Sequence, residues 1–291
     1  MNLVVGSTGS LGTSVVKRLA AAGKPVTALV RDLSSPKAKV LQSAGAKLVT
    51  GDLKDPASLE KALKEATTVI CTASSTMSRQ EGDSIETVDQ KGIQSLIAAA
   101  EKARIKRFIF VSFSRNILSD FPLSMGKRSA EKKLESSKMD YTVLLPSYFA
   151  ETWFSPAVGF DAAGGKVKIY GEGNRKVSYI ALEDVAKAVV ACVDNASTSK
   201  QAIPIGGPAA LSQLDAIALA EKTTGKTFQR ESMTADQIKG ARAGNLDSMT
   251  ASFLGLFDSL ARGDEIAPAW ASKLNVPLTK MEDWFKQALA K

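Results

Sequence analysis

The chain has 291 residues, 44% hydrophobic and 23% charged, an ordinary globular composition long enough for one large domain or a larger domain with a smaller partner. Its formal charge of +8 is spread over dispersed basic residues such as Lys102, Arg104, Lys106 and Arg107, with no aromatic-basic recognition motif, so nucleic acid is not the expected partner. Histidine is absent, which excludes a Ser-His-Asp triad, a Cys-His dyad and histidine-ligated zinc.

In chain order, the apolar run Leu3-Val4-Val5 reads as a short buried strand. It leads into Gly6-Ser7-Thr8-Gly9-Ser10-Leu11-Gly12 and a helix beginning near 10. A strand, a glycine-rich turn and a helix N-terminus make a phosphate-binding device, because the backbone can approach a pyrophosphate while free N–H groups and the helix dipole face the anion. Gly6, Thr8, Gly9, Ser10, Leu11 and Gly12 are therefore candidate cofactor-binding positions, although Thr8 and Ser10 are equally plain turn residues. The spacing is G-x-x-G-x-x-G, a weak signal by itself. A second strand at 26–30 ends in Arg31-Asp32, where an acid would suit the ribose hydroxyls of NAD and a guanidinium suits the 2′-phosphate of NADP. Arg31 thus favours NADP(H); the alternative is a solvated loop charge beside Asp32.

Strands follow near 47–50, 68–72, 107–111 and 141–145, with helices near 56–65, 86–103 and 124–137, a repeated βαβ rhythm that implies a parallel sheet covered on both faces. The third strand ends in Gly51-Asp52-Leu53, placing Asp52 and Leu53 where they could reach an adenine, and Asp55-Pro56 caps the next helix. After the fourth strand, Cys71-Thr72-Ala73-Ser74-Ser75 is a run of small residues that lets a cofactor pass closely at Ala73 and Ser74, or forms a tight turn. Cys71 and Cys192 read as small buried residues and not as a disulfide.

Beyond Pro146 come the aromatic segment 147–154, a Gly164-Gly165 hinge, and short strands near 166–170 and 176–180. A helix at 183–194, a strand at 201–205 and a Gly206-Gly207-Pro208 turn return to the sheet, and 211–223, 234–243, 248–262 and 278–290 form a helical tail. The expected organisation is a nucleotide domain at 1–150 and a mostly substrate-binding lobe at 151–291, with about 176–206 interleaved back into the first. No apolar run is long enough for a membrane helix, and a core strand directly after Met1-Asn2 leaves no room for a signal peptide, so a cytoplasmic location is expected.

These residues resemble the NmrA-like branch of the atypical short-chain dehydrogenases/reductases. The resemblance rests on the glycine turn, Val30-Arg31-Asp32, Gly51-Asp52-Leu53, Phe110-Val111-Ser112, Leu145-Pro146-Ser147-Tyr148-Phe149, Ser178-Tyr179-Ile180, Glu183-Asp184-Val185-Ala186 and Ile205-Gly206-Gly207-Pro208. It implies an α/β, doubly wound parallel-sheet Rossmann domain, NADP(H) as cofactor, and a smaller, interleaved C-terminal α/β substrate lobe over the nicotinamide. It also implies cofactor contacts at Pro146, Tyr148 and Phe149 and leaves homo-oligomers open.

The superfamily usually carries Tyr-x-x-x-Lys at the start of the helix near 124. Here Lys127 fits the lysine, but Leu123 stands in place of the tyrosine. Isoflavone-reductase-like relatives also lack that tyrosine, so Lys127 is the candidate for both ribose binding and proton transfer; it could instead hold only the ribose or lie on the surface. Ser112 is a further catalytic candidate, with Ser114 beside it, and Tyr148 or Tyr179 could substitute for the missing acid or serve the core. Trp153, Phe149 and Phe154 either wall an apolar pocket or pack internally. The resulting expectation is an NADPH-dependent reductase of a small, apolar, conjugated carbonyl or quinone-like acceptor. The alternatives are a catalytically idle NADP(H)-binding redox sensor acting through a protein partner and, further off, a scaffold or assembly factor that binds no ligand.

Overall fold

The computed structural model describes residues 1–78 and 80–289. The elements run β1 (Asn2–Val5), α1 (Ser10–Ala21), β2 (Val26–Val30), α2 (Pro36–Ser43), β3 (Lys47–Thr50), α3 (Pro56–Ala62) and β4 (Thr68–Cys71), then a π-helix over Ile85–Gly92 that continues as α4 (Ile93–Lys102). After these come β5 (Arg107–Val111), α5 (Pro122–Ser136) and β6 (Asp140–Pro146). The later elements are α6 (Ala150–Trp153), β7 (Phe160–Asp161), β8 (Lys166–Tyr170), β9 (Lys176–Val177), α7 (Leu182–Cys192), β10 (Gln201–Ile205), β11 (Leu211–Ser212), α8 (Gln213–Thr224) and β12 (Gln229–Met233). Four helices close the chain: α9 (Ala235–Arg242), α10 (Ser248–Arg262), α11 (Ala269–Leu274) and α12 (Met281–Leu289).

The main sheet has seven strands in the order β10-β6-β5-β4-β1-β2-β3, and β1 to β6 pair in parallel. Leu3, Val4, Val5, Val69, Ile70, Phe108 and Ile109 are almost completely buried, as expected of strands covered on both faces. The chain builds outward from β1 to β3 and then returns to β4 on the other side of β1, so the switch in direction lies between β1 and β4. Ligands of such sheets bind in the crevice at the C-terminal ends of the strands at this point. Ser35 caps α2 and Asp55 caps α3, each followed by a proline in the first turn. Arg107, one of the dispersed basic residues, is buried and holds β5 to neighbouring segments through Thr142, Thr198, the Cys192 carbonyl and Asp140.

The chain forms two compact units. The first comprises Met1–Ser112, Phe121–Leu144 and Val185–Ile203, and the second Phe113–Asp120, Leu145–Asp184 and Pro204–Lys291. The chain thus leaves the first unit near the end of β6, a few residues before position 150, and re-enters it in α7. Within the second unit β12, β8 and β7 form a small sheet, and β11 pairs with β9. Its core is aromatic, with the Phe154 ring centroid 4.7 Å from both Tyr179 and Phe285 and 5.2 Å from Phe160. No helix among the described residues is long and apolar enough to cross a membrane.

Several elements differ from the sequence reading. The expected helix near 86–103 is continuous but opens as a π-helix. The expected strand near 176–180 pairs as a strand only at Lys176–Val177. Strand β12, Gln229-Arg230-Glu231-Ser232-Met233, escapes a hydrophobic pattern because its residues are largely exposed. Helices α2 and α11, of 8 and 6 residues, are too short to show a period.

Candidate functional site: a cleft at the sheet's switch point

The glycine turn is built for close backbone approach. Gly6 has φ +81°, and a Cβ there would lie 2.7 Å from the Ala73 amide nitrogen, across the switch between β1 and β4. Gly12 packs under the turn, where a Cβ would stand 2.2 Å from the Gly6 carbonyl oxygen. Ser7 is buried and its hydroxyl donates to the Leu29 carbonyl at 2.6 Å, while Thr13 donates to the Ser7 carbonyl at 3.0 Å. Gly9 caps α1 with no side-chain hydrogen bond, and the first turn carries no acid. The N-terminal amides and the positive end of the helix dipole therefore remain available to an anion.

In front of this turn lies a cleft of about 540 Å³. Gly6, Thr8, Gly9 and Ser10 line it, together with Arg31 from the end of β2, Asp52 and Leu53 after β3, and Ala73 and Ser74 after β4. Leu11 and Gly12 lie in the first turn of α1, outside the described lining of this cleft. Ser35 and Lys37, at the start of α2, join Arg31 along one wall. Asp52 is held by the Lys54 amide, which donates to its Oδ1 at 2.8 Å. Arg31 donates from Nη1 to Asp83 at 2.6 Å, and Lys54 donates to the same carboxylate at 2.5 Å. Burial pushes the Asp83 carboxyl up, but hydrogen bonds from Arg31, Lys54 and Ser78 outweigh it and hold the group down at about 2.

Lys127 lies on the inner face of α5 and is 4% exposed. Its ammonium donates to the carbonyl of Ala73, a cleft residue, at 3.3 Å, stands 3.8 Å from Asp89 Oδ1 and sits 5.1 Å from the centre of the Phe110 ring. Asp89 comes from the π-helix and is completely buried; its Oδ2 accepts from the Ser75 amide at 2.9 Å and the Ser75 hydroxyl at 2.6 Å. Its Oδ1 takes no hydrogen bond among the described residues. Leu123 is buried one turn before Lys127 and offers no proton. Ser112 is buried with its hydroxyl donating to Glu131 Oε1 at 2.5 Å, and Arg128 pairs with the same Glu131.

The remaining candidates belong to the second unit. Tyr148 donates to the Leu256 carbonyl at 3.3 Å and packs edge-on against Trp153, at 4.7 Å between centroids. Burial, and then the nearby Asp264 charge, push its phenol well above the ordinary tyrosine range, so it stays protonated. Tyr179 is likewise pushed up by burial. The Pro146 carbonyl accepts from the Ser114 amide, Phe149 bridges to Ile180, and the Ser114 hydroxyl donates to Asp264 at 2.7 Å. Trp153 and Phe154 are buried within the aromatic core.

Three residues central to this geometry were not singled out from sequence: Asp83, Asp89 and Glu131. Two had a readable signal. Asp89 shares a helix face with Ile85, Ile93 and Leu96, and Glu131 falls one turn after Lys127 beside Leu134, so each is an acid on an otherwise buried stripe. Asp83 sits in a polar loop with no periodicity to mark it.

Residues 2–285 match the sequence model of the NmrA-like family. Among curated proteins, an NAD(P)H azoreductase of Xenophilus azovorans is 31% identical over 247 residues, covering 84% of this chain and 81% of that protein. The photosystem II assembly factor Ycf39 of Synechocystis sp. is 34% identical over 224 residues, 77% of this chain and 67% of that one. In fold, the chain is similar to an NADPH-dependent quinone oxidoreductase from Escherichia coli solved with NADPH. The TM-score is 0.81 at 19% identity, over 99% of this chain and 100% of that one.

Proposed function

The chain belongs to the NmrA-like family, and on that premise we propose that it is an NADPH-dependent reductase of a small, apolar, conjugated carbonyl or quinone-like acceptor. The observation that carries this reading is the buried Lys127 ammonium held against Ala73, a lining residue of a cleft that also contains the glycine turn and Arg31. The residues present fit the dinucleotide. Gly6 leaves no room for a side chain, α1 offers unpaired amides, and Arg31 offers a guanidinium suited to a 2′-phosphate. When bound, NADPH supplies the hydride.

The protein's own contribution is orientation and charge. The turn amides and Arg31 would hold the phosphates, and Ala73 and Ser74 would admit the cofactor without bulk. Among the described residues the Lys127 ammonium makes one hydrogen bond, so further N–H groups are available to a ribose hydroxyl or, as proton donor, to the reduced acceptor. Ser112, committed to Glu131 as donor, would serve the site as an acceptor through its lone pairs. The names of the azoreductase and quinone oxidoreductase relatives support an acceptor with a conjugated, electron-poor system.

A second reading, an NADP(H)-binding regulator without turnover, is favoured by buried Leu123 at the tyrosine position and by the likeness to an assembly factor. An acceptor panel separates the two. Stoichiometric NADPH oxidation with quinones or enones supports the reductase, with turnover falling by a factor of about 10²–10⁴ in Lys127→Ala. Saturable NADPH binding with no oxidation by any quinone, enone, azo compound or aldehyde supports the regulator.

A further inference from the structure

Dinucleotide sites usually state their preference with one charge at the end of the second strand: an acid that accepts from a 2′-hydroxyl, or a cation that pairs with a 2′-phosphate. This chain brings both to one place. Arg31 ends β2, and Asp83 reaches it from 52 positions downstream, its Oδ2 2.6 Å from Arg31 Nη1. The Asp83 side chain is only 3% exposed, whereas Arg31 is 33% exposed; both line the cleft. Lys54 at 2.5 Å and the Ser78 hydroxyl fasten the same carboxylate from other directions, so it cannot swing clear when a ligand arrives. With its carboxyl held far below the usual range, Asp83 is ionised at every working pH.

We propose that Asp83 is a specificity-determining residue that restrains the preference for NADP(H) over NAD(H), its fixed carboxylate occupying the Arg31 guanidinium that a 2′-phosphate would use. A phosphate entering here meets a cation whose charge is already partly compensated, and is repelled by the carboxylate beside it. A 2′-hydroxyl is neutral and feels no such repulsion. Wild type therefore accepts both cofactors, with a smaller advantage for the phosphorylated one than Arg31 alone would give.

The inference rests on Arg31 being the 2′-phosphate ligand, and the test separates the two claims. Dissociation constants for NADP⁺ and NAD⁺ are measured at low salt for wild type, Asp83→Asn, Asp83→Ser and Arg31→Ala. Removing the Asp83 charge should tighten NADP⁺ by about threefold or more and leave NAD⁺ unchanged or weaker, with the gain shrinking as salt is raised. Asp83→Ser must move in the same direction and serves if the asparagine variant does not fold. Arg31→Ala should erase the preference for NADP⁺; if the preference survives, the reading of Arg31 fails. If Arg31→Ala erases it but neither Asp83 variant tightens NADP⁺, the Asp83 proposal is overturned.

Discussion

The buried pair formed by Asp89 and Lys127 predicts a large and specific loss of stability in Asp89→Ala. The wild-type carboxylate has no exposed surface, and the lysine facing its Oδ1 at 3.8 Å is 4% exposed. Alanine leaves three uncompensated groups on two residues. The Ser75 amide and hydroxyl lose their acceptor, and among the described residues the Lys127 ammonium keeps only the Ala73 carbonyl at 3.3 Å and the face of Phe110. Removing one partner of a buried ion pair costs about 3–5 kcal/mol, and the stranded Ser75 donor falls within that range and does not add to it in full. For a chain of this size each kcal/mol lowers the melting temperature by about 2–4 °C, so the expected drop is on the order of 10 °C. Thermal unfolding followed by circular dichroism at pH 7 without cofactor measures it. In a double-mutant cycle, Asp89→Ala combined with Lys127→Met should lose less than the sum of the single variants, since no charge is left stranded. A single-variant loss below about 1 kcal/mol, or strict additivity in the cycle, would refute the argument that the pair is mutually compensating.

Gly9→Val should still fold, since the nearest atom to a Cβ there is the Gly6 carbonyl oxygen at 3.3 Å and a shift of a few tenths of an ångström accommodates it, yet lose NADPH binding because the turn must let a pyrophosphate approach its backbone; unchanged affinity by titration would mean the turn holds no pyrophosphate. The ion pairs of Asp83 should contribute stability that is complete above the ordinary carboxylate pKa of about 3.9 and is lost as pH falls towards 2. Urea midpoints of wild type and Asp83→Asn should therefore converge below about pH 3, and a difference that instead grows with acid would contradict the sign. Burial pushes Cys71 and Cys192 up to about 11, so native protein at pH 8 should react slowly with an aromatic disulfide and the denatured chain should titrate two thiols.

The main sheet was legible because its strands are buried on both faces and its turns carry specific chemistry. Leu3-Val4-Val5 before a glycine turn and Asp55-Pro56 before α3 each state one local structure. What escaped was information held between distant segments. Arg31 read correctly as the end of a strand, but its ion pair with Asp83 joins residues 52 apart and leaves no periodic trace. Lys127 sits among Arg128, Lys132 and Lys133, so its burial is set by which face of α5 turns inward and not by composition. Tyr148 illustrates the opposite limit. A tyrosine in an aromatic segment suits a pocket or a core equally, and its bond to the Leu256 carbonyl depends on a helix more than 100 residues away.

The most direct measurement is transfer of deuterium from NADPH labelled at nicotinamide C4 to an enone, whose β-carbon keeps the label as a non-exchanging C–D bond, with the product analysed by mass spectrometry and quinone reduction followed in parallel as NADPH oxidation. One deuterium is expected in the reduced enone for each NADP⁺ formed when the label is on the transferred face, with the yield falling in Lys127→Ala. Saturable NADPH binding with no label in any enone, whichever face carries it, and no NADPH oxidation with any quinone would contradict the claim that this chain is a reductase.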